Sequence, residues 1–313
     1  LIREELIKFH SIFRSKGSTV ILMNVNNGEI LSMVSYPDFD LNKRATINDV
    51  NFINRATKGV YELGSVFKTF TVAAGLEEGL IKKDTEFLNL EKKLKCGKNI
   101  ISEYDKKISS NLTVEQILIR SGNIGSVRIG QKIEIEKLKS FLEKIGVLSK
   151  IDFDIEEVGE PISFKWGKCK LATVSFGHGI TTTPLQLAKG YAIIANGGFE
   201  IKPSLIKKTL KNNQNKKRLI KEGVSEQINE ILRKIVTTKE GTAGFANIKG
   251  YEVGGKTGTA EKAIIGGYTR KAKVNTFASI FPTTNPKYVM IVLLDEPKTS
   301  EDYIYKYKNK SGS

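Results

Sequence analysis

A hydroxyl becomes a working nucleophile only when a base takes its proton, and three short segments of this chain set hydroxyls beside cations. In the first, YELGSVFKTFTVAAG at residues 61–75, Gly64 allows a tight entry, Ser65 opens an apolar, helix-compatible run, and Lys68 lies one turn along. At i and i+3 the two side chains share a helix face, and a helix N-terminus favours negative charge developing at the serine. A lysine can be the base if burial and nearby positive charge lower its pKa. By itself the spacing says little, because Ser204-Leu205-Ile206-Lys207 repeats it and a capping serine beside an exposed lysine would look the same. The second segment is Ser121-Gly122-Asn123, a hydroxyl and an amide that could relay a proton and hydrogen-bond a peptide. Ser109-Ser110-Asn111 has the same pattern but precedes a helix start, where such residues more naturally form a turn. The third is Lys256-Thr257-Gly258-Thr259 within YEVGGKTGTAEK, the only Lys-Thr-Gly in the chain. A cation with two hydroxyls suits a carboxylate, a free strand edge can pair with an extended peptide, and Gly258 would let a ligand approach the backbone. An ordinary exposed polar strand would also read this way.

Positions 65, 121 and 256 are far apart in the chain, so the fold has to gather them. Residues 18–25 (STVILMNV) and 29–35 (EILSMVS) are β-branched, apolar runs joined through Asn26-Asn27-Gly28, which predicts a hairpin. Tyr251 to Glu261, Lys273 to Phe281 and Tyr288 to Leu294 predict three more strands, separated by turns at Gly266-Gly267 and at Pro282-Thr283-Thr284-Asn285-Pro286. The intervening signals are helical. Thr113 with Gln116 is a capping box opening TVEQILIR, and Thr183, Pro184 and Gln186 open a helix that Asn196-Gly197-Gly198 closes. EIEKLKSFLEKIG ends at Gly146, and Ser225 begins a further helix. Strands at both ends with helices between imply one sheet built from the two termini, since a lone hairpin would be unstable. The expected class is mixed α and β (α+β): a central antiparallel sheet from strands at about 18–35 and 251–294, flanked by helices, with a helical region at about 65–240. No repeat and no Pro/Gly/Ser linker divides it, so residues 1–313 are expected to form a single domain.

Composition narrows the function classes. Lys plus Arg number 50 against 34 Asp plus Glu, a formal charge of +16 that would suit an acidic partner. The excess is diffuse, and its densest stretch, Lys202 to Arg218, carries no aromatic to stack on a base and no nucleic-acid motif, so no nucleic-acid partner is expected. Two histidines, His10 and His178, rule out a His-rich metal site, and no Gly-x-Ser-x-Gly elbow serves a Ser-His-Asp triad. Cys96 and Cys169 stand in no metal-ligand or redox spacing, leaving a disulfide open. No stretch approaches the run of about 20 apolar residues that a membrane helix needs.

Ser-x-x-Lys, Ser-x-Asn and Lys-Thr-Gly occur here in that order, and together they are far more specific than singly; the set is the signature of penicillin-binding proteins and serine β-lactamases. With SGNIG, SFGHGITTTPLQLAKGYAIIANGG and GGKTGTA around it, the chain resembles the monofunctional class B penicillin-binding proteins, particularly the cell-division (septal) type, from about Gly17 to about Leu294. The resemblance implies a peptidoglycan D,D-transpeptidase without a cofactor. Ser65 would be acylated by the D-Ala-D-Ala terminus of a stem peptide, with Lys68 as base. Ser121 would pass a proton to the leaving amine, and Lys256 would hold the electrostatics of that path. Asn123 would hold the substrate amide, Thr257, Gly258 and Thr259 the carboxylate end, and the backbone N–H groups of Ser65 and Thr259 the oxyanion. His178 would be structural or at the pocket rim. Gly122 departs from the Ser or Asp usual between the motif's Ser and Asn. Partners implied are peptidoglycan stem peptides, β-lactams as inhibitors, and a glycosyltransferase with other division-complex membrane proteins. The expected location is the periplasmic side of the cytoplasmic membrane, through an anchor and pedestal missing from this chain. A serine β-lactamase would share the three motifs, yet no Glu-containing deacylation loop of the class A kind lies between Ser121 and Lys256. A non-catalytic β-lactam or peptidoglycan sensor and a carboxypeptidase are further alternatives.

Overall fold

The computed structural model describes residues 1–40, 42, 53–97, 99–207, 217–264 and 267–301. In chain order, helix α1 (Ile2–Phe13) leads into β1 (Gly17–Asn24) and β2 (Ile30–Tyr36), and a 3-10 turn (Gly64–Phe67) runs into α2 (Lys68–Glu77). Short strands β3 (Glu86–Phe87), β4 (Lys93–Cys96), β5 (Asn99–Ser102) and β6 (Leu112–Thr113) precede α3 (Val114–Ile119), α4 (Asn123–Ile133), α5 (Ile135–Lys144), α6 (Lys168–Val174), α7 (Pro184–Ala195) and α8 (Glu222–Thr237). The chain returns through β7 (Gly254–Ile264), β8 (Gly267–Phe281) and β9 (Tyr288–Asp295).

The two termini do build one sheet, in the order β2-β1-β9-β8-β7, antiparallel throughout. Its seam is β1 on β9, from Gly17 opposite Asp295 to Asn24 opposite Tyr288. These central strands are the most apolar, and β9 buries alternate residues Val289, Ile291 and Leu293, because successive side chains point to opposite faces of the sheet. β7 is left at the sheet edge, as expected of the Lys-Thr-Gly strand. α1 packs on β1 and β2, α7 crosses β1, β8 and β9, and α8 lies along β7. α2 is buried continuously from Lys68 to Leu76. Its small residues permit that: a Cβ on Gly75 would fall 2.6 Å from the Ile81 side chain.

The capping boxes at Thr113 and Thr183 both form, and Gly146 follows α5 with φ of 77°. Four expectations are corrected. α8 begins at Glu222, not Ser225; the Ser225 hydroxyl instead accepts from Gly197 N–H and donates to the Ile194 carbonyl, fastening the end of α7. β7 starts at Gly254 rather than Tyr251. β8 starts at Gly267 rather than Lys273, because the β7–β8 pairing continues past a register shift at Glu261/Lys262. The regions read as purely helical or left unassigned also contain α1, α6 and the four short strands β3 to β6. Gly267 of the expected Gly266-Gly267 turn is therefore a strand residue; Gly266, and residues 208–216 of the basic stretch, lie outside the described residues. Cys96 and Cys169 form a disulfide with Cα atoms 5.4 Å apart, tying the β4–β5 hairpin to α6.

Candidate active site

The nucleophile candidate sits where three backbones nearly touch. Gly64 has φ of +63°, and a Cβ there would lie 2.5 Å from the Thr259 carbonyl oxygen. A Cβ on Gly258 would lie 2.3 Å from the Leu63 carbonyl, and one on Gly177 only 1.9 Å from the Gly64 carbonyl. Glycine at these positions lets the 3-10 turn wedge between strand β7 and the Gly177-His178-Gly179 loop. This corrects one expectation. Gly258 is buried against the nucleophile turn and gives room to Leu63 and Val66 rather than to a ligand. Beneath the turn, the buried Tyr191 phenol donates to the Val66 carbonyl at 2.9 Å and pairs with Thr69 Oγ1 at 2.9 Å. Ser65 is half-buried on the cleft surface, and its hydroxyl has no hydrogen bond among the described residues.

Lys68 and Lys256, both 0% exposed, converge on one hydroxyl. Lys68 Nζ donates to Ser121 Oγ at 3.1 Å and Lys256 Nζ donates to the same oxygen at 2.9 Å. Two accepted bonds occupy both lone pairs of Ser121 Oγ and leave its own proton to be given elsewhere. Lys68 also donates to the Ser121 carbonyl at 2.5 Å and to Asn123 Oδ1 at 2.7 Å, three acceptors that match the three N–H bonds of an ammonium. To serve as base it must release one of them.

Ser121 reaches this place because it ends α3 in the left-handed region, with φ of 57°. Its N–H bonds Leu118 O and Gly122 N–H bonds Ile117 O, the paired bonds of a Schellman stop in which glycine is the usual occupant. A serine there costs about 1–2 kcal/mol in backbone strain. The site obtains in return a hydroxyl at the junction of α3 and α4. Asn123 starts α4; its Nδ2 donates to Ser102 O at 2.8 Å, so the amide is fixed at both ends.

Burial pushes Lys68 down to about 7, while the nearby Glu103 carboxylate pulls it upward. Burial, and then the charge of Lys68, hold Lys256 well below the usual lysine range. Of the two conditions the sequence could only name for a lysine base, burial acts on Lys68, while the neighbouring cation acts on Lys256 instead.

Ser65, Ser121, Asn123 and Glu103 line an open cleft of about 1280 Å³ that also holds Gly64, Thr242, Thr257, Thr259, Tyr268 and His178. Thr257 Oγ1 donates to Thr242 Oγ1 at 2.9 Å. His178 stands at the rim, its ring centroid 4.2 Å from that of Tyr268 and its Nδ1 3.4 Å from Glu62, away from the lysine pair's hydrogen bonds. Ser204 is excluded as an equivalent of Ser65, since it lies outside any helix and its hydroxyl donates to Asp154. Ser109 forms the expected turn, accepting from Asn111 N–H. Sequence reasoning missed Glu103, Thr242 and Tyr191, none of which lies within the Ser-x-x-Lys, Ser-x-Asn or Lys-Thr-Gly motifs.

Comparison with known proteins agrees with this geometry. Residues 18–311 match the family model of the penicillin binding protein transpeptidase domain. The chain is 34% identical to the probable peptidoglycan D,D-transpeptidase FtsI of Caulobacter vibrioides over 95% of its own length and 51% of the relative's. It therefore spans about half of that protein. It is 30% identical to the probable peptidoglycan D,D-transpeptidase PenA of Neisseria flavescens, covering 97% of this chain and 75% of the relative. Among solved structures it resembles the TP domain of penicillin-binding protein 3 from Burkholderia pseudomallei, with a TM-score of 0.84 and 26% identity over 95% of this chain and 85% of that one.

Proposed function

We infer the reaction from the premise that this chain belongs to the penicillin-binding protein transpeptidase family. It is the catalytic part of a septal-type peptidoglycan D,D-transpeptidase. The observation that carries this reading is the convergence of two fully buried lysines on the Ser121 hydroxyl, at 3.1 and 2.9 Å, in a cleft that also presents Ser65.

The chemistry follows from those groups. Ser65 Oγ bonds to the carbonyl carbon of the penultimate D-alanine while its proton passes to Lys68. Backbone N–H groups of Ser65 and Thr259 hold the oxyanion, worth roughly 3–4 kcal/mol per donor. Collapse of the tetrahedral intermediate breaks the C–N bond, and Ser121, re-supplied by the lysine pair, gives the departing amine its proton. Asn123 holds the peptide amide, and Thr257 and Thr259 hold the terminal carboxylate, the former already oriented by Thr242. Gly258 acts by letting the nucleophile turn close on β7. The amine of a second stem peptide then displaces Ser65 and completes the cross-link. β-Lactams, as mimics of D-Ala-D-Ala, acylate the same serine. The site faces peptidoglycan on the periplasmic side of the cytoplasmic membrane, as a domain of a longer anchored protein working with a glycosyltransferase and division-complex membrane proteins.

The test is a stem-pentapeptide analogue ending in D-Ala-D-Ala, incubated with the chain and a D-amino acid acceptor. Release of D-alanine with formation of the exchanged peptide is expected, and Ser65→Ala should abolish both while staying folded by circular dichroism. Rapid penicillin turnover would replace this reading with a β-lactamase, and acylation without any transfer or hydrolysis of the peptide would replace it with a receptor.

A further inference from the structure

Glu103 lies between β5 and β6, outside all three motifs, yet both oxygens of its carboxylate are engaged at the site's foundation. Oε2 accepts from Asn123 N–H at 2.7 Å and Oε1 from Ile124 N–H at 2.8 Å. These are the first two residues of α4, an eleven-residue helix whose own N-cap, Gly122, has no side chain to offer. A carboxylate there satisfies two orphan donors and sits at the positive end of the helix dipole. It also stands close enough to Lys68 for its charge to favour the lysine's protonated form.

We propose that Glu103 is a positioning residue for acyl transfer: it fixes the Asn123 end of α4 from outside the helix and is a counter-charge to Lys68. The proposal rests on the reading of Ser65 as nucleophile and Lys68 as base. The chain of contacts is short. Glu103 holds Asn123 N–H, and the Asn123 side chain in turn meets Lys68 at 2.7 Å. Lys68 is wholly buried and has no ion pair among the described residues, so the carboxylate that holds its partner Asn123 is the anion whose field reaches it. Other acidic groups of the cleft are committed elsewhere or stand off. Asp105 and Glu240 both pair with Arg120, at 2.8 and 3.1 Å, and Glu62 accepts from Tyr268 and Gly179. Glu261, Lys106, Lys107 and Lys273 also line the cleft; like Glu103 they form no ion pair with Lys68, but Glu103 also holds Lys68's partner Asn123. A glutamine at position 103 has one acceptor oxygen for two N–H groups and no charge.

The experiment is the second-order rate of acylation by fluorescent penicillin from pH 5 to 9, for the wild type, Glu103→Gln and Glu103→Asp. Removing the anion makes Lys68 easier to deprotonate, so the acid limb of Glu103→Gln should move to lower pH by about one unit, with a reduced plateau. Glu103→Asp keeps the charge and should keep the wild-type limb. A Gln plateau that falls with no movement of the limb, or a profile identical to wild type, overturns the proposal and leaves Glu103 a structural cap or a bystander. Should Glu103→Gln not fold, a displaced limb in Glu103→Asp overturns it equally. Absence of labelling in the wild type at every pH would instead defeat the assignment of Ser65 as nucleophile.

Discussion

Strand β7 carries two lysines six positions apart that have come to opposite states. Lys262, near the open end of the strand, bonds Asp295 at 2.9 Å and Glu296 at 2.7 Å. Its partial burial works against the charge, but the two carboxylates hold it above the usual range. Lys256 is wholly buried, meets a serine hydroxyl and a carbonyl instead of a carboxylate, and has Lys68 as its charged neighbour. The first is a permanent cation tying strand ends together. The second is an amine whose charged form is disfavoured by burial and by the charge of Lys68. What separates them is the company each keeps, which a one-dimensional motif does not state: paired carboxylates favour the charged form of a lysine, and full burial beside a hydroxyl and a second lysine disfavours it.

The contrast can be broken by removing the lysines in turn. Lys68→Met and Lys256→Met should each lower the rate of penicillin acylation by about 10³-fold, the scale of a lost proton-transfer group. Lys262→Met should leave that rate within about twofold and instead lower stability by about 1 kcal/mol in denaturant unfolding. Equal losses of rate from all three would erase the distinction. The next effect is on pH. If the neutral amine of Lys68 is the base, acylation in the wild type should be half-maximal near pH 7, fall about tenfold per unit below that, and stay level to about pH 9. A lysine with Lys262's kind of partners, held above the usual range, would keep the rate climbing throughout that interval. Small in rate too should be the effect of the Cys96–Cys169 cross-link, 73 residues apart in sequence, which borders the cleft through β4–β5 and α6 without touching the lysines. The paired Cys96→Ser, Cys169→Ser variant should change acylation only a few-fold while lowering stability by about 4 kcal/mol, measured by urea unfolding.

Local signals explain what could be read in advance. The hairpin at Asn26-Asn27-Gly28, the capping boxes at Thr113 and Thr183 and the edge position of the Lys-Thr-Gly strand all rest on residues within a few positions of one another. The order Ser65, Lys68, Ser121, Asn123, Lys256 was legible for the same reason, each pair being a short motif. What the motifs could not carry was contact between distant segments. Glu103 reaches Asn123 across 20 residues, Thr242 reaches Thr257 across 15, and Tyr191 reaches Val66 across 125. Gly258 misled because close approach of a backbone was the right inference and a ligand the wrong partner; the chain's own Leu63 takes that space. Ser225 misled because a serine near a helix start reads as a cap, while here its hydroxyl serves the end of the preceding helix. Cys96 and Cys169 carried no spacing signal at all.

The central claim is that two buried lysines around Ser121 make Ser65, among all the hydroxyls of this lysine-rich chain, the one that is acylated. It is tested most directly by mapping the penicillin adduct with peptide mass spectrometry. A single adduct per chain, carried by Ser65 and lost in Ser65→Ala, is the result expected. An adduct on Ser204, on Ser121 or on several serines would contradict it.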